Sequence, residues 1–147
     1  MKIVILFISI LLFQGNFCLA QDSSKTTIQA SSQINKSELF KTLTKLGNKV
    51  YIVSKDAAEL NYATIAINYW GYWNVTKVKE EADFILKIDS KTIEFGHKRG
   101  KMIFVNPKTM DELMETNTLV TIGKGDVNRK RQFINRLIEE EVKPMIK

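Results

Sequence analysis

The chain has little of several things that constrain a fold. Its 147 residues include one cysteine, Cys18, one histidine, His97, and two prolines. A single cysteine excludes an internal disulfide, and with one histidine there is no Cys/His set for a structural zinc. Long apolar runs are also scarce. The one stretch of this kind, residues 3–13, is interrupted by Ser9 and falls short of the roughly 20 residues that a bilayer-spanning helix needs.

That run follows Met1-Lys2 and stops at Gln14-Gly15-Asn16, the layout of a secretory signal with one positive charge and a short apolar core. Signal peptidases accept only small side chains just before the cut. Cys18-Leu19-Ala20 supplies small, spacer, small, which places cleavage between Ala20 and Gln21. The competing reading makes Cys18 the first residue of a lipoprotein, and the bulky Phe17 at the cleaved bond fits it less well. Cleavage after Ala20 leaves an exported chain without cysteine, whose core alone must hold it together. The expected layout is a cleaved signal over 1–20, a flexible polar tether over 21–35 and a single α/β domain over 36–147, the size of one domain. The mature chain has no expected transmembrane segment, and its location is periplasmic or secreted.

The formal net charge of +6 falls to +5 when Lys2 leaves with the leader. So mild a bias favours solubility and weak attraction to anionic surfaces. The cations are dispersed among acids in no nucleic-acid-binding pattern, so no nucleic-acid partner is expected. The sequons at Asn35 and Asn74 read as chance matches in a chain with a bacterial leader.

Within the domain, Asn35 or Ser37 can cap a short helix ended by Gly47, with Leu39, Leu43 and Leu46 on one face. Residues 49–55 form a β-branched strand. Asp56 with Glu59 three residues on is a capping-box pattern. Leu60, Ala63, Ile67 and Trp70 then recur at helical spacing up to Gly71, which predicts a helix over 57–70. Strands follow at 72–78, where Trp73 and Val75 alternate with polar residues, and at 84–95. Gly96-His97-Lys98-Arg99-Gly100-Lys101 suits a hairpin loop, 102–106 the return strand, and Asn106-Pro107-Lys108-Thr109 a turn. A last strand lies within 112–122. Asp126 caps a C-terminal helix with Val127, Ile134, Leu137, Ile138 and Val142 as its apolar stripe, which Pro144 should end or kink. The order (α)βαββββα predicts an α+β fold, a mainly antiparallel sheet of about five strands with helices packed on one face.

The second half of the chain resembles small exported α/β domains of bacterial envelope proteins. Residues 81–92, Glu-Ala-Asp-Phe-Ile-Leu-Lys-Ile-Asp-Ser-Lys-Thr, are similar to the Ala-Asp-aromatic-aliphatic-Leu strand opening of those domains. Residues 101–119 resemble the hairpin that follows it. Domains of this type include the amino-terminal domain of the Tol-Pal propeller protein and the curli-export pore protein. The resemblance implies an envelope-associated, non-catalytic domain and carries over no functional residue.

Three stretches invite a chemical reading. His97, Lys98, Arg99 and Lys101 cluster where a hairpin tip is expected and could grip an anion, although a solvated loop explains the same residues. As a base, His97 has no Ser or Cys arranged beside it as a nucleophile. Residues 68–73, Asn-Tyr-Trp-Gly-Tyr-Trp, could form a stacking platform from Tyr69 and Tyr72, or place Trp70 and Trp73 in the core. Residues 121–131 offer glycines before a helix but lack the spacing of a phosphate-binding loop, and Asp126 would occupy its free N–H groups. The sequence therefore points to a non-catalytic binding domain with no cofactor or metal, an accessory piece of an envelope or surface assembly with a protein partner. The alternative is a small-molecule or glycan binder using 69–73.

Overall fold

The computed structural model describes residues 35–122 and 129–146, so the expected signal, the tether up to residue 34, the Asp126 cap and Val127 lie outside the described residues. The described chain opens in a helix, α1, over 35–43. Its buried side is set by Phe40, 4% exposed, with Thr44 one turn later. The expected leucine face is corrected in part: Leu43 packs against the core, but Leu39 turns outward, because the edge-on contact of Phe40 with Phe104 fixes the rotation of the helix, and Leu46 is exposed in the turn that follows it. Asn48 Nδ2 donates to the Leu43 carbonyl at 2.9 Å, satisfying a helix-end acceptor, and Gly47 turns the chain at φ 83°.

Strand β1, Lys49–Ser54, leads into helix α2, Ala57–Trp70. Asp56 caps α2 as expected, its Oδ1 accepting from the Ala58 and Glu59 amides, and Gly71 ends it in the left-handed conformation at φ 68°. Ala63 and Ile67 are fully buried against the sheet, with Leu60 and Trp70 packed beside them. Strand β2 is short, Asn74–Thr76, and runs parallel to β1. After a helical turn at Lys79–Glu81 comes β3, Phe84–Thr92, which is also parallel to β1. A tight loop leads into β4, Lys98–Val105, antiparallel to β3 over its full length.

Two short strands complete the sheet. Strand β5, Glu112–Glu115, pairs with the far end of β4, and β6, Leu119–Thr121, pairs with its beginning. The turn before β5 is built as its chemistry predicts: Asn106 Oδ1 accepts from the Lys108 amide at 3.0 Å. The described residues thus form a six-stranded mixed sheet, β2-β1-β3-β4-β5 with β6 beside β4. The α+β class stands, while the mainly antiparallel sheet of five strands is only roughly right. Both neighbours of β1 are parallel to it, and the last predicted strand is two segments separated by residues 116–118. At that break Met102 N donates to Thr116 Oγ1 and Thr116 N to the Met102 carbonyl, which keeps the β4 edge bonded.

Helix α3, Arg129–Arg136, continues through a wider π-helical stretch, Leu137–Val142, into a last α-helical turn, Lys143–Ile146. Phe133, Ile134, Leu137, Ile138 and Val142 are all fully buried. Pro144 does not end the helix. It has no N–H for the carbonyl four residues back, and the ladder widens just ahead of it, with Lys143 N donating to the Ile138 carbonyl. The three helices share one apolar core with the inner face of the sheet. The opposite sheet face carries a smaller cluster of Ile85, Ile103 and Val105 with Tyr51 beside it.

Candidate functional site

The densest polar chemistry lies inside, where the C-terminal end of β1 meets the start of α2. Glu59 is 1% exposed, and its Oε1 accepts from Lys98 Nζ at 2.8 Å. Its Oε2 accepts from Ser90 Oγ at 2.7 Å and from Ser54 Oγ at 3.4 Å. Ser54 Oγ in turn accepts from the Asp56 amide. Four elements are joined by this network, and a buried carboxylate is tolerated there because a cation and two hydroxyls meet it. On its outer side Asp56 binds Lys130 Nζ at 2.5 Å. That hydrogen bond holds the Asp56 carboxyl below its ordinary range and raises Lys130 above its own. Glu59 is closed off from solvent, and the network ties the start of α2 to three strands.

The predicted hairpin tip is a correction. Residues 98–101 belong to β4, and the loop is confined to 93–97. Strand alternation sends the cations to opposite faces. Lys98 is buried against Glu59, while Arg99 and Lys101 lie on the outer face, Lys101 bound to Glu115, whose carboxylate raises its pKa. His97 sits at the loop exit, with its ring 6.2 Å from that of Phe95 and its Nδ1 buried without a hydrogen-bond partner among the described residues. The four residues therefore do not converge on one ligand. Arg99 and Lys101 share an open polar cleft of about 290 Å³ with Asp89, Lys91 and Thr118.

The aromatic stretch is also divided. Trp73 is buried at the centre of a ring cluster with Phe84 and Phe104, and its Nε1 donates to the Thr44 carbonyl at 2.9 Å. Trp70 stacks on Tyr72 at 4.9 Å between ring centroids and has Lys143 Nζ over its ring, 5.3 Å from the centroid. Tyr72 thus packs against the core instead of facing a ligand beside Tyr69. Tyr69 alone stands free, 93% exposed, at the rim of a groove of about 450 Å³ between α2 and α3. Ile65, 55% exposed, and Ala66 form the apolar floor, and Arg131 of α3 and Glu139 of the π-helical stretch flank it. Sequence reasoning missed Ile65, although it falls one helical turn before Tyr69 on the face opposite the core stripe.

Among the described residues no group of three or more His, Cys, Asp or Glu side chains could hold a metal ion, and no helix is long and apolar enough to cross a membrane. No protein-family model matches the chain, and no curated protein matches it. Among solved structures, a dodecameric PelC variant from Paraburkholderia phytofirmans is similar at 16% identity, covering 67% of this chain and 88% of that one. Its TM-score is 0.42, a likeness too slight to assign a fold family or a function.

Proposed function

We propose that the chain is an exported, non-catalytic binding domain that serves an envelope or surface assembly through a protein partner seated on the α2–α3 groove. The observation that carries this reading is the pair Ile65 and Tyr69, one helical turn apart on a rigid helix and facing solvent. An amphipathic ring with an aliphatic floor and flanking charges of both signs has the composition of an interface anchor. The helix is fixed at both ends by Asp56 and Gly71, so little order has to be gained on binding. The leader pattern of residues 1–20 supports export, and the resemblance of residues 81–119 to envelope domains supports the compartment.

The test is purification from the native envelope fraction under mild conditions, comparing the wild-type chain with an Ile65→Asp/Tyr69→Ala variant. A companion recovered with the first and lost with the second is the expected result. A lone monomer in both cases contradicts the reading.

A second reading, a glycan or other small-molecule binder, draws on the volume of the same groove, which falls within the usual range of ligand sites. A Tyr69→Trp reporter separates the two. Quenching by glycan fragments favours the small ligand, and an unchanged spectrum favours the protein partner.

A further inference from the structure

The loop between β3 and β4 holds a large aromatic side chain out to solvent at a conformational cost. Phe95 is 85% exposed and adopts φ 57°, ψ 22°, a left-handed conformation that disfavours a residue with a Cβ. The following Gly96 is left-handed as well, at φ 72°. Arg129 clamps the arrangement from α3, its Nη1 donating to the Phe95 carbonyl at 3.2 Å. A side chain at Gly96 would meet that guanidinium, since an added Cβ would lie 2.2 Å from Nη1. Isolated exposed apolar residues need no explanation. An aromatic held outward in a strained, clamped turn is different, because such strain concentrates at functional sites.

Register brings more of the same chemistry to this end of the sheet. Thr121 of β6 pairs with Lys98, so Ile122, 79% exposed, lies beside the exit of the Phe95 loop. Val120, 42% exposed, pairs with Arg99. Arg99 also stands directly opposite Lys91 of β3, and both side chains are exposed. Like charges in that position repel, and neither has an ion partner among the described residues. Glu94 on the loop and Asp89 in the cleft beside Lys91 are the acids here, against Lys91, Arg99 and the Arg129 clamp.

We infer that this end of the sheet seats on an anionic lipid surface, with Phe95 and Ile122 entering the interfacial layer while Lys91 and Arg99 meet the phosphates. Apolar tips in front and cations set back along the strands match the layered chemistry of a bilayer surface. The contact is separate from the α2–α3 groove and does not depend on it.

Sedimentation with vesicles of phosphatidylcholine, with and without phosphatidylglycerol, tests the inference on the full chain. The wild type is expected to bind the anionic vesicles, to be released by salt, and to bind neutral ones weakly. Lys91→Gln and Arg99→Gln should each weaken binding roughly fivefold, and Phe95→Gly about tenfold or more. Glycine relieves the left-handed strain, so Phe95→Gly should raise the thermal midpoint while lowering vesicle binding, a combination that a purely structural Phe95 would not give. Failure of the wild type to bind anionic vesicles overturns the inference. So does equal binding to neutral vesicles, or variants that bind as the wild type does.

Discussion

Glu59 and Lys98 form an ion pair 2.8 Å long in the interior, between the first turn of α2 and the first residue of β4, with side chains 1% and 9% exposed. The attraction compensates the desolvation of both charges, so the two residues stand or fall together. Replacing Glu59 by Gln leaves the ammonium uncompensated and should cost about 3–5 kcal/mol of stability. The apolar double replacement Glu59→Leu/Lys98→Met should recover most of that loss, because neither charge then remains buried. Urea unfolding of the two variants beside the wild type measures both effects. Equal destabilisation in the single and double variants would show that the pair contributes packing alone.

Asp56 couples a helix cap to a surface ion pair. Asp56→Ala removes the acceptor for the Ala58 and Glu59 amides and should cost about 1 kcal/mol. The folded-state pKa lies below the ordinary value of 3.8, so this group's contribution is fully present above that value and is lost as pH falls through the folded pKa. Lys130 runs the other way. Its pKa is raised above 10.5, so its contribution is full below that value and fades as pH rises through the folded pKa. Thermal midpoints taken from acid to alkaline pH should show both limbs in the wild type. In Asp56→Ala the corresponding part of each limb should be reduced.

Gly100 is required by a close approach of two strands. An added Cβ would lie 2.3 Å from the Asp89 carbonyl oxygen and 2.7 Å from Ser90 Cα, both backbone atoms of β3. Gly100→Ala should therefore destabilise by about 1–3 kcal/mol, the range for forced repacking. Chemical denaturation checks it, and a neutral result would mean that β3 and β4 can separate locally without loss.

Phe104 sits where the helical layer meets the sheet, touching the rings of Phe40, Trp73 and Phe84. Truncation to Ala leaves a cavity among rigid aromatics that cannot collapse, at a cost of about 3–5 kcal/mol. The near-ultraviolet signal of Trp73 should weaken in the same variant, since that indole loses one of its ring neighbours.

Helix α2 is legible in the sequence because its start, stop and buried stripe are all local signals. Asp56, Ala63, Ile67 and Gly71 do what their residue types predict. The C-terminal stripe from Ile134 to Val142 is legible for the same reason. The start of β4 is not, because glycines and cations over 96–101 resemble a loop. Only the acid of Glu59, brought in from 39 residues away, allows Lys98 to be buried there. Glu59 was hidden in the same way: its spacing from Asp56 suggests reciprocal capping, yet its carboxylate turns inward to a partner that no local pattern announces. Parallel pairing around β1 is equally silent, since strand alternation records burial and not direction. At the candidate site, the aromatic run is visible in the sequence. Its division into one exposed ring and three packed ones is settled only by the contacts of Trp70 and Trp73.

The most direct test of the binding reading is crosslinking from position 69 in the native host. A photoreactive residue is placed at Tyr69 and, as a control, at Lys108, on the turn before β5. One discrete crosslinked species from position 69, absent from position 108 and abolished by Ile65→Asp, is the predicted result. Identical patterns from the two positions, or no species from either, would contradict a partner on the α2–α3 groove.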